Sequence, residues 1–346
     1  MKKVSGKPQM MKQMNGTLLR SALMDKPDAT KAELSAATGI SLTTINTLFA
    51  DMLARGEIEE VGFSASSGGR KAKRYRIAAQ SMLSLCLCVQ KGEIRYGVCN
   101  LFGKAIAEGS RPLPPQGDPV GIALDIARQA VRSGEYPLRM IGLGIRGSVI
   151  DGVVQTGVDM APWYGRDVSA LFEQECGIPC IMENDLNCMA MGFKRALVES
   201  GKGACLNLAY LHFEKDSIGA GMIENGRLIR GHHNFAGEMT LMPISDKDNL
   251  LAVLSQAESK KEYAKTVARL LGLLDCIISP EYIVLGGENF DATTLSELKV
   301  YSALGKLGEK NKNLIYASGS EEYYLSGLGY LSARSMIDES GFFVAE

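Results

Sequence analysis

Two groups of side chains near the start of the chain have types and spacing that suit contact with phosphates and base edges. Thr43, Thr44, Asn46 and Thr47 place three hydroxyls and a carboxamide within five residues. Such short polar groups donate and accept hydrogen bonds, and on a helix they can reach base edges and phosphate oxygens. Arg70, Lys71, Lys73, Arg74 and Arg76 then put five fixed positive charges within seven residues. Cations so dense pair with phosphates, and arginine is favoured in a narrow minor groove. A third pattern, Gly142-x-Gly144-x-x-Gly147, matches a dinucleotide fingerprint. That motif requires a helix directly after it. Val149-Ile150-Asp151-Gly152-Val153-Val154 reads instead as strand and turn, so the dinucleotide reading is set aside.

The elements that would carry the first two groups can be read from spacing. One helix is expected from about Met10 to Met24, with Leu18, Leu19 and Leu23 as apolar positions. A second opens at Thr30 with Glu33 three residues on, the pattern of a capping box, and stops at Gly39. Ser41 can cap a third, running to about Arg55, with Ile45, Leu48, Phe49, Met52 and Leu53 on its inner face. Two helices joined by a short turn containing glycine form a helix-turn-helix, whose second helix enters the major groove. The competing reading is an ordinary helical hairpin with a solvated face. The residues after the third helix favour DNA. Gly56–Val61 and Lys71–Ile77 read as two strands around the loop Ser64–Arg70, a basic wing after the helices.

Charge agrees with that division. The chain of 346 residues has a net charge of -1, but residues 1–80 hold 13 Lys+Arg against 7 Asp+Glu, and the remainder is correspondingly acidic. A basic head on an acidic body suits a phosphate-bearing partner at the head. No apolar run is long enough to span a membrane, and no signal peptide is evident. The eight cysteines lie mostly in apolar stretches and read as reduced core residues of a cytoplasmic protein. No cysteine or histidine spacing suggests a metal site.

From Ser81 the pattern alternates strands and helices. Strands are expected at Leu83–Val89, Ile94–Cys99, Met140–Ile145, Pro179–Met182, Leu206–Phe213, Gly219–Ile223 and Tyr282–Leu285. Helices are expected at Gly121–Arg132, Val168–Cys176 and Leu186–Leu197, with Arg111–Pro119 as a loop and no simple repeat.

Four segments of this body resemble the ROK family of repressors, open reading frames and kinases. They are Ile141–Val149 with Asp151–Val154, Ile178-Pro179 with Glu183-Asn184-Asp185, Ile218–Gly221 with Ala236-Gly237-Glu238, and Tyr282–Gly287. Gly68-Gly69-Arg70-Lys71 is similar to the wing of the family's repressor branch. The resemblance implies a two-lobed, actin-like sugar-kinase fold behind the winged helix. It implies a homodimer or homotetramer. It places the family's catalytic base on Asp185 and sugar contacts on Asp159, Asn184 and Glu238. Without the resemblance, Asn184 and Asp185 read as a strand-end turn capping the next helix.

The nucleotide side departs from the family. Its first phosphate loop falls on Cys88, Val89, Gln90, Lys91 and Gly92, so side chains stand where glycines would admit phosphate. Its second falls on Lys215, Asp216 and Ser217, where a carboxylate would repel phosphate. The position of the family's zinc-binding His is Leu241, and no cysteine follows in Met242–Asp246.

The expected protein is α/β: a winged helix-turn-helix over 1–80 and a ROK effector-sensing and oligomerisation body over 81–346. It would bind a double-stranded DNA operator and a sugar-like effector, probing DNA with Thr43, Thr44, Asn46, Thr47, Arg70, Lys71, Lys73 and Arg74. It would need no cofactor and catalyse nothing. An active sugar kinase with a regulatory head is the alternative, resting on Asp185 alone. A body that only oligomerises is a third reading.

Overall fold

The computed structural model describes residues 7–64, 71–150, 152–155, 157, 161–202, 205–245, 248–300, 313–319 and 321–339. The chain opens with helix α1 (Lys7–Met24), the two-residue strand β1 (Ala29–Thr30), α2 (Lys31–Thr38) and α3 (Leu42–Ala54). Thr30 and Glu33 form the reciprocal capping box, so two backbone donors at the start of α2 are satisfied. Gly39 ends α2 in the left-handed region at φ 72°, and the Ser41 side chain caps α3. Strands β2 (Ile58–Phe63) and β3 (Lys73–Ile77) then form an antiparallel hairpin, with β1 added on the far side of β3. This is a winged helix-turn-helix. Ile45, Leu48, Phe49 and Met52 of α3 are buried, with the Phe49 ring edge-on to Tyr75 at 5.0 Å. Leu53, expected inside, is 36% exposed, because it lies about 100° round the helix from Met52 and beyond the edge of the buried arc at Phe49.

The body holds two five-stranded sheets. The first is built from β4 (Leu83–Gln90), β5 (Glu93–Cys99), β6 (Ala105–Pro112), β7 (Leu138–Ile145) and β10 (Cys180–Asn184), in the order β10-β7-β4-β5-β6. A small hairpin, β8 (Val149–Ile150) with β9 (Val153–Val154), comes after β7, so no helix succeeds the Gly142–Gly147 pattern. The second sheet has β11 (Leu208–Phe213), β12 (Ile218–Glu224), β13 (Arg227–Leu228), β14 (Tyr282–Gly286) and β15 (Asn313–Ala317), in the order β13-β12-β11-β14-β15. In each sheet three antiparallel strands are followed by two that add in parallel.

Helices recur in the same places. The first sheet has α4 (Pro119–Ser133), α5 (Val168–Cys176) and α6 (Asp185–Glu199). The second has α7 (Leu250–Ser255) with α8 (Lys260–Ile278), then α9 (Ala292–Val300) and α10 (Glu321–Glu339). The body is thus an internal duplication of topology. It was invisible in the sequence, where no repeat is found, because strand order can be conserved without residue identity. Strand β6 was also not expected; its burial alternates between half-buried and exposed, and it absorbs Arg111 and Pro112 from the expected loop.

The last helix of each half packs on the other half. Helix α6 lies against β11 and β12, and α10 lies against β4, β5 and β7. The two helices also pack closely on each other, and a Cβ at Gly327 would stand 1.8 Å from the Cys188 carbonyl. Only a residue without a side chain permits that approach. Helix α10 then reaches the head. Arg334 donates to Ser21 Oγ at 2.8 Å, and Met336 and Ile337 share a buried cluster with Leu19, Leu23 and Met24 of α1. The segment between head and body is bonded to both: Ala78 N–H donates to the Glu57 carbonyl and Leu101 N–H to the Ala79 carbonyl. Among the described residues no helix is long and apolar enough to cross a membrane.

Candidate functional site

A cleft of about 1110 Å³ runs between the two sheets. Residues at or just beyond the carboxyl ends of β4, β7, β10, β11, β14 and β15 line it: Gln90, Arg146, Asn184, His212, Gly287 and Ala317. Parallel strands end there with loops free to vary, and ligands of open α/β sheets bind at such edges.

Glu183, Asn184 and Asp185 sit where β10 passes into α6. Asn184 is the helix cap: its Oδ1 accepts from Leu186 N at 2.9 Å and Asn187 N at 3.1 Å, and its Nδ2 donates to the Gly147 carbonyl. The capping role read from the sequence is therefore real, and Asn184 also lines the cleft. Asp185 faces the same space. Burial pushes its carboxyl up from 3.8 to about 6, although Arg146 and His212 pull the other way. Across the cleft Glu238 is raised too, first by burial and then by the charge on Asp185. Two carboxylates that resist ionisation in one partly dehydrated space are suited to accept hydrogen bonds from hydroxyls, which bring donors without adding charge. Asp159 lies outside the described residues.

The glycines of Ile218–Gly221 have a positioning role. A Cβ at Gly221 would stand 2.1 Å from the Leu186 carbonyl, so the first turn of α6 rests directly on β12. Gly221→Ala is expected to destabilise the protein by about 1–3 kcal/mol, as overpacking does. It is also expected to weaken any ligand held in the cleft at least 10-fold, since the turn that moves carries Asp185. Chemical denaturation and titration calorimetry would check both.

Several side chains in and beside the cleft had no role in the sequence reading. Glu183 Oε1 accepts from Asn187 Nδ2 at 2.9 Å, and its Oε2 pairs with Arg230, whose Nε lies at 3.1 Å. His212 Nε2 and Glu214 Oε1 are 2.6 Å apart, a bond that holds Glu214 below the usual carboxylate range. His212 Nδ1 and the buried Tyr324 hydroxyl make no hydrogen bond to the described residues. Arg146 was overlooked inside a glycine motif, and Tyr324 came from an unassigned helix; only the scarcity of histidine could have flagged His212.

The two segments that the resemblance places at the family's phosphate loops are tight turns. Gln90 ends β4, and Gly92, at φ 82°, turns the chain into β5. Glu214 N–H donates to the Ser217 carbonyl, closing the β11–β12 turn. Gln90, Lys91, Asp216 and Ser217 all face the cleft.

On the head, Thr43, Asn46 and Thr47 are exposed on α3. Thr44 is half-buried, with its hydroxyl 2.9 Å from that of Ser41. Asn46 accepts from Lys31 at 2.7 Å, which adds a cation to this surface. Much of the wing's charge is spent internally. Lys73 pairs with Glu60, and Arg76 with Glu59. Arg74 bonds Asp28 at 2.5 Å and Glu33 at 3.2 Å with its side chain only 26% exposed, which ties β3 to α2. Lys71 is exposed, and Arg70 lies outside the described residues.

Residues 93–250 match the ROK family model. The xylose repressor of Caldicellulosiruptor bescii is 23% identical over 297 residues, covering 80% of this chain and 72% of that protein. The match spans about three fifths of the length of further xylose repressors, 61% in each of two Bacillus proteins. A ROK family transcriptional regulator, described as a homologue of the Escherichia coli MLC protein, superposes with a TM-score of 0.71 at 14% identity. That likeness covers 96% of this chain and 99% of the regulator. The ROK hexokinase of Thermus thermophilus gives a TM-score of 0.59 at 21% identity, over 74% of this chain and all of the enzyme. Residues 93–250 thus carry a match to the ROK family, and the two-sheet fold of the body agrees with it.

Proposed function

We propose that this protein is a DNA-binding transcriptional repressor whose cleft binds a sugar or sugar derivative without phosphorylating it. One observation supports this above others. Helix α10 runs from the cleft, where Tyr324 lines the wall, to the head, where Arg334 and Ile337 meet α1. A ligand that draws the two sheets together would shift α10 and with it the head, because α6 and α10 each pack on the opposite half. The ligand controls operator affinity to the extent that it prefers one arrangement. Residues 1–80 are the output and 81–346 the sensor. The relatives named xylose repressors make D-xylose the first probe.

The altered phosphate turns support a sensor over an enzyme. A nucleotide needs backbone N–H groups open to its phosphates, and here Gln90, Lys91 and Asp216 present side chains instead. The kinase reading keeps one favourable observation, a carboxyl at Asp185 raised to about 6 and so near the range of a general base. A coupled ADP-release assay separates the two: the sensor reading predicts no turnover with xylose, glucose or amino sugars. Turnover lost in Asp185→Asn would establish the kinase.

DNA binding is tested by gel shift on the region upstream of the protein's own gene. Specific retardation at low salt is expected, with paired copies on two half-sites about one helical turn or a multiple apart. No retardation would overturn the reading. Lys71→Ala is expected to weaken binding to all DNA sequences alike. It should also reduce the slope of log K against log salt by about 1, as loss of one phosphate contact does.

A further inference from the structure

We propose that the cleft takes a neutral disaccharide, with one ring against Asp185 and Glu238 and the second in the half where the family's nucleotide would lie. This rests on the effector reading above and names the class of effector. Three observations carry it.

The first is size. At about 1110 Å³ the cleft exceeds the roughly 300–1,000 Å³ that buries a drug-sized ligand. A single sugar ring would fill one end and leave the other to water.

The second is charge. Glu93, Glu214, Asp216 and Glu288 line the nucleotide half or its border, against Lys91, Arg95 and Arg146. An excess of carboxylates repels phosphate and any acidic sugar derivative. The same carboxylates accept hydrogen bonds from hydroxyls, which a neutral sugar supplies on every face. Gln90 and Ser217 add groups that both donate and accept, and Tyr316 adds an aromatic ring. This is the donor and acceptor mixture that reads a polyol.

The third lies at the seam between the halves. The Tyr324 side chain is 1% exposed, and its hydroxyl makes no hydrogen bond to the described residues. His212 Nδ1 is in the same position. A buried polar atom without a partner costs about 1–3 kcal/mol, so two on one wall mark a place where a ligand completes the bonding. Both feel the charge of Asp185, so they lie beside the first ring's site. A glycosidic oxygen and its neighbouring hydroxyls would meet them there.

The test is titration calorimetry on the full-length protein with xylobiose, cellobiose, maltose and sucrose, alongside xylose, glucose, fructose and ATP. One disaccharide is expected to bind at least 10-fold more tightly than either of its component sugars, and ATP is expected not to bind. The variants Gln90→Ala and Asp216→Ala change side chains at turns on the cleft rim and leave the core intact. They are expected to weaken the disaccharide at least 5-fold and the single sugar less than 2-fold. Equal affinity for disaccharide and component, or ATP binding tighter than every sugar, would overturn the proposal. So would variants that weaken both sugars alike. If a single sugar binds and no disaccharide does, the sensor reading survives and only this inference fails. If no sugar binds, both fail, and the gel shift still decides DNA binding.

Discussion

Asp185→Asn is expected to melt several degrees above the wild type at pH 7.5 while losing its response to effector. In the folded protein the Asp185 carboxyl is raised from 3.8 to about 6, chiefly by burial. Linkage sets the sign. Below the ordinary value the group is neutral in both folded and unfolded chains, and burial costs it nothing. Between about pH 4 and 6 the unfolded chain loses its proton first, so the folded state loses relative stability as the pH rises. Above pH 6 the folded protein holds a charge that its surroundings disfavour. A shift of this size corresponds to about 1–3 kcal/mol. Asparagine removes the charge and keeps the shape, so the variant gains at pH 7.5 and the gain fades as pH falls toward 4. Calorimetric melts across that range would show it. A variant no more stable than wild type at pH 7.5 would contradict the burial argument. A residue that lowers stability in the free protein and is needed for ligand response fits a binding role better than a structural one.

Thr47→Glu is expected to abolish specific operator binding, at least 100-fold in affinity, with an unchanged circular dichroism spectrum. Thr47 is exposed on α3, beside Thr43 and Asn46, and its hydroxyl only back-bonds to the Thr43 carbonyl. A carboxylate there removes a group of the right size and places negative charge against phosphates. Loss of one base contact costs about 1–3 kcal/mol, and repulsion adds to it. By contrast Arg74→Ala is expected to act mainly through folding, since Arg74 already holds Asp28 and Glu33. Binding that survives Thr47→Glu would move the DNA surface away from α3.

The difference between these two positions shows what was legible in the sequence. Thr30, Glu33, Gly39 and Ser41 act locally, through hydrogen bonds and backbone angles within a few residues, and each does what its spacing announced. The helical period of α3 exposed its outer face in the same way. The partners of Arg74 and Lys73 could not be read, because Asp28 and Glu60 are brought to them by strand pairing. In the body, Asn184 and Asp185 were legible as a strand-end motif. Arg146, His212 and Tyr324 were not, because β7, β11 and α10 meet only when two halves of similar topology close around one cleft. The duplication itself resides in strand order and crossing helices, which leave little trace in residue identity.

The central claim is that a ligand in the cleft changes how the head holds DNA. A DNase I footprint of the region upstream of the protein's gene, with and without each sugar of the calorimetric panel, tests it most directly. The account predicts a protected pair of half-sites, lost when one sugar is added and retained with that sugar in Asp185→Asn. Protection that no sugar alters, or no protection at low salt, would contradict it.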